Sequence, residues 1–157
     1  MTATLDRIDL RILALLQGDG RATNAQIAET VSLSASACLR RIQKLEADGV
    51  IAGYAALVDP QAVGLGLQAF VRVQLEKHDT AAVQHFVKSV QSWSEVMACH
   101  ALTGEMDYLL HIVVSDLEHF SRFLLDRLLN ESGVADVNSS FVLRTVKQTR
   151  ALPISVG

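Results

Sequence analysis

Residues 23–45 contain two short amphipathic helical patterns that are separated by a tight polar connection at residues 32–34. In the second pattern, apolar side chains return to one arc of a helix at about 100° per residue. These apolar positions are Ala35, Cys38, Leu39, Ile42 and Leu45. The opposite arc carries Ser36, Ala37, Arg40, Arg41 and Lys44, with no acid among them. This division predicts a helix-turn-helix, whose second helix packs on one side and meets an anionic DNA groove on the other.

The distribution of charge along the chain agrees with a cationic N-terminal surface. The net charge of −3 does not by itself favour DNA binding. Residues 1–53, however, hold six basic and six acidic residues, whereas residues 54–157 hold eight basic and eleven acidic ones. A local cationic face on a neutral domain can bind phosphates, and an acidic remainder suppresses indiscriminate binding.

Composition excludes several classes of protein. With 157 residues, half of them hydrophobic, we expect a packed core in one ordinary domain or two small ones. No apolar run is long enough to span a membrane, and the first residues lack the profile of a signal peptide, so we expect a cytoplasmic protein without a membrane partner. Cys38 and Cys99 are far apart and match no ligand spacing, so we expect reduced, buried thiols and neither metal nor cofactor.

The N-terminal third is predicted to be a winged helix-turn-helix domain at residues 1–53. Its first helix spans about residues 5–17, with Thr4 or Asp6 as cap; the second follows Thr23 and Asn24; the third runs from the cap Ser34 to residues 48–49. Residues 50–58 are expected to form a small hairpin or wing and then an extended link, and residues 54–66 a linker strand.

The second part, residues 67–157, changes from helical to alternating periodicity. Strands are predicted at residues 69–75, 94–103, 108–114 and 134–146. Thr80 is expected to cap the first intervening helix and Ser115 or Asp116 the second, whose inward side chains would be Leu117, Phe120, Leu124 and Leu128. The order βαββαβ is that of an α+β, ferredoxin-like unit. Because helices cover one sheet face, we expect a second copy of the chain to cover the other.

Five motifs stand out along the chain: LDRIDLRIL at 5–13, SxSxCLRRIxKLExDGVIxGY at 34–54, LVDP at 57–60, GEMDYLL at 104–110 and VKQT at 146–149. Together they resemble the Lrp/AsnC family of feast/famine transcriptional regulators. The resemblance implies an N-terminal winged helix-turn-helix and a βαββαβ ligand-sensing domain. It also implies dimers that assemble into octamers or other rings, and amino acids as effectors. Relatives often carry proline near the start of the DNA-reading helix, where this chain has Ala35 and Ala37.

The candidate DNA contacts lie around the second and third helices. Hydroxyls can bond phosphates or base edges, arginine can read guanine, and a helix N-terminus favours an anion. The candidates are Thr23, Asn24, Ser34, Ser36, Arg40, Arg41, Lys44 and Tyr54. We expect Arg41→Ala to lower DNA affinity, and each lost phosphate contact to reduce the salt slope by about 1. The alternative is that these basic residues are an ordinary solvated helix face.

The candidate effector site is the turn between the second and third strands. Asp107 could pair with the ammonium of a free amino acid, and backbone N–H groups near Gly104 could receive its carboxylate. Further candidates are His100, Thr103, Glu105, Met106 and Tyr108. The family resemblance adds Asn138, Ser139 and Ser140 from a partner chain. The alternatives are a solvated hairpin tip and, for His100, a structural hydrogen bond.

Two other functions stay open at this stage. An enzyme is disfavoured because the chain has no GxSxG elbow, no metal-ligand cluster and no GxGxxG motif. A winged helix used for protein contact would differ from a regulator by failing to shift DNA. The identity of the effector, the direction of regulation and the choice between dimer and octamer are not encoded in these patterns. The apolar ending TRALPI at 149–154 is expected to dock on another surface.

Overall fold

The computed structural model describes residues 4–76 and 79–155. Two compact units are present. The first contains the chain through Leu57 together with the segment that begins at Lys147, and the second is Val58–Val146. The division falls inside the predicted linker at residues 54–66. The C-terminal segment, which the sequence analysis assigned to the second domain, groups with the first unit.

The first unit contains three helices, α1 (Arg7–Gly18), α2 (Asn24–Thr30) and α3 (Ala35–Ala47). Each begins after a side chain that accepts a hydrogen bond from the backbone of the first turn, the caps being Asp6, Thr23 and Ser34. Of the two predicted caps for α1, Asp6 is the one used, so the helix begins two residues later than expected. The three predicted helices are confirmed.

The core of this unit lies between the three helices. Its buried side chains are Ile12, Leu13, Ile27, Ala28, Val31, Cys38, Ile42 and Leu45. Leu39 and Ala35 were expected in this core, but both are exposed, Leu39 by 45%. The prediction was wrong for them because Cys38, Ile42 and Leu45 alone form the inward stripe of α3.

The predicted hairpin at residues 50–58 is not formed: within this described stretch no residue is in a strand. The backbone N–H groups of Val50 and Ile51 donate instead to the carbonyl of Leu45, at 2.9 and 3.0 Å, and so close the end of α3. With these groups committed to the helix end, the segment continues as irregular chain.

The second unit is a four-stranded antiparallel sheet with helices. Its elements are β1 (Leu67–Leu75), α4 (Thr80–Ser92), β2 (Val96–Ala101), β3 (Tyr108–Val114), α5 (Leu117–Phe123) and β4 (Val134–Phe141). A single turn of 3₁₀-helix at Gln61–Val63 precedes β1, and a π-helical turn at Leu124–Leu128 extends α5. The strand order β2-β3-β1-β4 is that of the predicted ferredoxin-like unit, which is confirmed.

Alternation along β1 and β3 gives the sheet two different faces. One face carries Ala69, Val71, Val73 and Leu75 of β1 and Tyr108, Leu110, Ile112 and Val114 of β3, packed with Phe86, Val90, Phe120, Phe123 and Leu128 of the helices. The other face, which we call the open face, carries Phe70 and Arg72 of β1 beside His111 and Leu109 of β3. The ring of Phe70 is stacked on that of His111, with centroids 4.9 Å apart.

Three details of the second unit correct the sequence analysis. Asp79, one residue before Thr80, caps α4. Leu117, which was predicted to point inward, is 60% exposed, and Phe123 is buried instead. The last strand ends at Phe141, not Val146, because β1 begins at Leu67 and offers no partner beyond the Val142 N–H bond to Gln68. Asp116 is the cap of α5 among the two candidates.

The C-terminal segment docks on the first unit, as expected for its apolar ending. Ile154 packs against the core of that unit. The Gln17 side chain of α1 bonds the backbone of Leu152 twice, accepting from its N–H at 2.6 Å and donating to its carbonyl at 3.2 Å. Across the described stretches of chain, no helix is long and apolar enough to cross a membrane.

Candidate DNA interface and effector site

Helices α2 and α3 are held together as a helix-turn-helix. The connection turns at Ser32, whose φ of 57° is left-handed, and the Leu33 N–H then donates to the carbonyl of Ala28 at 2.9 Å. At the other end of α2, the Asn24 amide donates to the carbonyl of Ala35 at 2.7 Å. These contacts fix the start of α3 relative to α2, as a reading helix requires.

One face of α3 points away from the core, and we call it the reader face. Its exposed side chains are Ser36, Leu39, Arg40, Gln43 and Lys44. Ser36, Arg40 and Lys44 were predicted from the sequence as DNA contacts, whereas Leu39 and Gln43 were not. A signal was available, because Gln43 lies about 140° from Cys38 on the helical wheel and Leu39 lies beside it on the same side.

Arg41 is not part of the reader face. Its guanidinium lies 2.7 Å from a carboxylate oxygen of Asp6 and 2.7 Å from one of Asp9, and its side chain is 32% exposed. The hydrogen bonds that Arg41 donates to Asp9 and Asp6 raise the pKa of Arg41, while the Asp9 N–H and the Arg41 guanidinium lower the pKa of Asp6. The predicted DNA contact is thus an internal clamp that joins α3 to the start of α1.

The other two cations of α3 differ in their surroundings. Lys44 forms an ion pair with Asp48 one turn later, and both side chains are largely exposed, so this pair holds Lys44 weakly. Arg40 is exposed and, in the part of the chain that the structure describes, makes neither a hydrogen bond nor an ion pair. Arg40 is therefore the arginine of α3 that can reach a ligand without breaking an internal contact.

The remaining predicted DNA residues are engaged inside the unit. Thr23 and Ser34 cap their helices, and the Ser34 hydroxyl also lies 3.3 Å from that of Ser36. The carbonyl oxygen of the Asn24 side chain is buried without a hydrogen bond among the described residues. Tyr54, 54% exposed, donates its hydroxyl to Glu46 at 3.0 Å. These side chains shape the helix-turn-helix more directly than they present donors outward.

The turn at residues 102–107 is anchored to the end of β1. The Leu102 N–H donates to the carbonyl of Asp107 at 2.8 Å, and the Asp107 N–H donates to Val73 at 2.9 Å. The Asp107 carboxylate accepts the N–H of Leu75 at 2.7 Å, and Gly104 has a φ of 115°. Thr103, Gly104 and Glu105 are exposed, and Met106 is half-buried. Asp107 thus fixes the turn while its neighbours face solvent.

The other predicted effector residues lie on the strands of the sheet. Tyr108 is buried against Phe86, with ring centroids 4.8 Å apart, and burial raises the pKa of its hydroxyl. His100 is exposed on β2 opposite Leu109. Asn138, Ser139 and Ser140 lie on β4, with β1 between them and β3. Within one protomer the turn and the β4 residues are therefore separated by a strand.

An apolar cleft of about 500 Å³ lies between α4 and β2. It is lined by Val87, Val90, Gln91, Val96, Met97, Ala98, Cys99, Ala101 and Tyr108. Among the predicted effector residues in the described chain, Tyr108 alone lines it. Burial raises the pKa of the Cys99 thiol, so this group stays protonated at neutral pH.

A smaller polar hollow of about 250 Å³ lies beside α5. There the Glu95 carboxylate accepts from Arg127 at 2.9 Å and lies 3.4 Å from His119. Burial raises the pKa of Glu95, but the backbone N–H, His119 and Arg127 outweigh that effect and hold it below its ordinary value. Within residues 4–76 and 79–155, no three His, Cys, Asp or Glu side chains form a metal-ligand set.

Comparison with known proteins gives a family match for each part of the chain. The model of the Lrp/AsnC ligand binding domain matches residues 68–152, and that of a winged helix-turn-helix DNA-binding domain matches residues 5–52. The DNA-binding transcriptional activator DecR of Escherichia coli K12 is 40% identical over 96% of this chain and 99% of its own. The glutamate uptake regulatory protein of Zymomonas mobilis is 38% identical, over 98% and 93%.

Solved structures give the same result. A transcriptional regulator of Neisseria meningitidis, determined as a complex with L-Met, has 51% identity and a TM-score of 0.92, over 96% of this chain and 97% of that one. Nearly full-length matches of this kind to regulators, and not to enzymes, remove the catalytic alternative. With its helix-turn-helix and its four-stranded domain both matched, the chain belongs to the Lrp/AsnC family of DNA-binding transcriptional regulators.

Proposed function

We propose that this regulator binds duplex DNA through the reader face of α3 and changes that binding when a free amino acid occupies the turn at residues 102–107. DNA binding is supported above all by the guanidinium of Arg40, which is exposed and has no partner among the described residues, on a helix whose opposite side is buried. Ser36 and Lys44 flank it, so the helix can offer a hydroxyl and two cations to phosphates and base edges.

The amino-acid half rests on the chemistry of the turn. Asp107 places a carboxylate at the end of this turn, and a carboxylate is the natural charged partner of an ammonium group. Gly104 leaves the backbone open to close approach by a carboxylate. The Neisseria relative was solved with L-Met, which supports an amino acid as the class of effector.

We propose further that a second copy of the chain completes the effector site. The polar residues 138–140 of β4 are one strand removed from the turn within the protomer, which supports a partner chain as the source of such residues. The open face of the sheet, with Phe70 exposed by 40%, is the surface on which the two copies would pack. Assembly of these dimers into larger rings, octamers among them, follows the family resemblance.

DNA binding is tested by a mobility-shift titration with duplex DNA from upstream of the coding region, repeated across salt concentrations. We expect a shift whose affinity falls linearly on logarithmic axes as salt rises. Arg40→Ala should weaken it, whereas Arg122→Ala, an exposed arginine on α5, should not. Failure of the wild-type protein to bind any duplex would favour the protein-contact alternative.

The effector role is tested with Asp107→Asn, because asparagine keeps an acceptor oxygen for the Leu75 N–H. Asp107→Ala would leave that N–H unbonded, at a cost of about 1–3 kcal/mol, and would confuse folding with ligand binding. We expect thermal-shift screening of the twenty amino acids to find a ligand for the wild type. Asp107→Asn should lose that shift while it binds DNA without effector normally. A full ligand response in this variant would contradict the role of Asp107.

A further inference from the structure

The reader face of α3 contains side chains that differ in what they can recognise. Resting on the proposed DNA binding, we propose that Leu39, Arg40 and Gln43 determine base specificity, whereas Arg41 positions α3 and contacts no DNA. A side chain already bonded inside the protein must give up that bond to read a base, whereas an exposed side chain without such a bond among the described residues need not.

Gln43 and Arg40 are the polar side chains near the centre of this face. Both are exposed, and they are three residues apart, so they are neighbours on the helix surface. A glutamine amide can pair with both N6 and N7 of adenine, and an arginine with O6 and N7 of guanine. Each therefore offers a two-point contact that distinguishes one base from the others.

Leu39 supplies a third kind of contact. It is 45% exposed in the midst of polar side chains, one helical turn before Gln43. An apolar side chain at the floor of the major groove can pack against the thymine methyl group. Without DNA, the apolar side chain of Leu39 is exposed to water, which is unfavourable. Contact with a thymine methyl group would bury it.

Arg41 is committed to a different task. The two carboxylates at 2.7 Å leave its cluster with a formal charge of −1, which does not attract a phosphate. The clamp connects the middle of α3 to the capping box at the start of α1, formed by Asp6 and Asp9. Its loss would let α3 shift as a body, which would weaken all DNA contacts together.

The test begins with selection of bound sequences from a random duplex library by the wild-type protein. Variants are then titrated on the selected site and on all single-base substitutions of it. We expect Leu39→Ala, Arg40→Ala and Gln43→Ala each to lose about 5- to 150-fold discrimination at one or two base pairs. Elsewhere in the site their base preferences should match those of the wild type.

Arg41 variants should behave differently in the same titrations. Arg41→Ala and Asp9→Asn should each lower affinity by one factor for every sequence, with base preference and salt slope unchanged. The double variant should be no worse than either single one, and Arg41→Lys should recover part of the affinity. Lys44→Ala is the comparison, because loss of a phosphate contact should reduce the salt slope by about 1.

Two results would overturn the inference while leaving DNA binding intact. One is unchanged base preference in folded Leu39→Ala and Gln43→Ala proteins, as judged by circular dichroism. The other is altered base preference at particular positions, or a reduced salt slope, in Arg41→Ala. If the wild type selects no sequence, the proposed function fails instead, so the two failures are distinguishable.

Discussion

Neighbouring arginines of α3 have different surroundings because α1 lies against one side of that helix. Arg41 is held by Asp6 and Asp9, whereas Arg40, rotated by about 100°, is exposed. The Arg41 guanidinium lies between the two carboxylates at ordinary hydrogen-bond distance. Removing Arg41 would therefore leave two acids close together. The same residue type thus stabilises the unit at one position and is available to a partner at the next.

His111 gives the stability of the second unit a dependence on pH. Burial holds its pKa below the ordinary value of 6.5, so it takes up a proton less readily in the folded chain than in the unfolded one. The sign follows by linkage: stability is complete above about pH 6.5 and is lost as pH falls towards the lower folded pKa. We predict that His111→Phe, which keeps an aromatic ring beside Phe70, reduces this loss between pH 7.5 and 5.

The measurement is the midpoint of urea unfolding, followed by tryptophan fluorescence at several pH values. Trp93, the single tryptophan of the sequence, lies in the core of the second unit and reports on it. The open face also carries Arg72, His100 and Asp136. These residues are the same in the wild type and in His111→Phe, so a difference in acid sensitivity between the two proteins comes from residue 111. Equal acid sensitivity of the two proteins would contradict the assignment to His111.

Sequence patterns could predict which side of α3 is apolar but not which of its cations is free. Periodicity depends on neighbours within the helix, and these are visible in the sequence. Arg41 is 35 positions from Asp6 and 32 positions from Asp9 in the sequence. The two acids are recognisable in the sequence as a capping box, but the sequence does not show which cation they bind. Leu39 was assigned to the core for the same reason: the edge of an apolar stripe is decided by the helix that packs on it.

The turn between α2 and α3 gives a prediction at the scale of an element. Ser32 has a φ of 57°, where an L-residue with a side chain costs about 1–2 kcal/mol. Ser32→Gly removes this strain but gains freedom in the unfolded chain, so we expect a net stabilisation of up to about 1 kcal/mol. Ser32→Val should destabilise the unit instead, because a β-branched side chain fits this conformation worst.

Far-ultraviolet circular dichroism follows the helices of both units and Trp93 fluorescence follows the second unit, so the two signals together report unfolding of the first unit. Gly and Val at residue 32 should move the midpoint in opposite directions. Equal effects of both substitutions would mean that the left-handed turn is not what residue 32 contributes.

Helices and strands with a clear hydrophobic pattern were predicted well. Segments whose backbone hydrogen-bond partners lie in another element were not. The strand at residues 108–114 is confirmed because nearly every residue is apolar, as in a central strand. The hairpin at residues 50–58 was wrong because its first N–H groups satisfy the end of α3, a choice that no local pattern expresses. Likewise, the last strand stops where its neighbour β1 begins, although the strand predicted from the sequence continued to Val146.

At the scale of the whole molecule, the chain leaves the first unit at Leu57 and returns to it from Lys147. The returning segment contributes Ile154 to the core and bonds Gln17 through Leu152. The sequence showed that this tail was apolar but not where it docks, because docking sites of irregular chain have no periodic signature. The effector turn could be placed between its strands from sequence, whereas its anchor on the Leu75 N–H depends on strand register.

We predict that Ile154→Ala destabilises the first unit by about 1 kcal/mol, the value expected for removing three half-buried carbon groups. Leu143→Ala, at a side chain that is 99% exposed near the end of the second unit, is the matched control and should have little effect. Circular dichroism should report an earlier transition in the Ile154 variant while Trp93 fluorescence is unchanged. An unaltered transition would show that the docked tail adds nothing to the first unit.

Self-association is the property that most depends on the open face of the sheet. If a second copy packs there, a symmetric interface buries Phe70 twice, and Phe70→Glu would place a carboxylate in each copy of the same contact. Two aromatic contacts would be lost, each worth about 1.5 kcal/mol or more. We therefore expect the affinity of the dimer to fall at least about 100-fold. In a single protomer the substitution costs less, because the Phe70 ring is 40% exposed.

Light scattering after size-exclusion chromatography should therefore give a monomer mass for Phe70→Glu and a dimer or larger mass for the wild type. Leu125→Glu, the same kind of change at a 58% exposed residue beside α5, should keep at least the dimer mass. A folded Phe70→Glu protein with the wild-type mass would move the dimer interface away from this face.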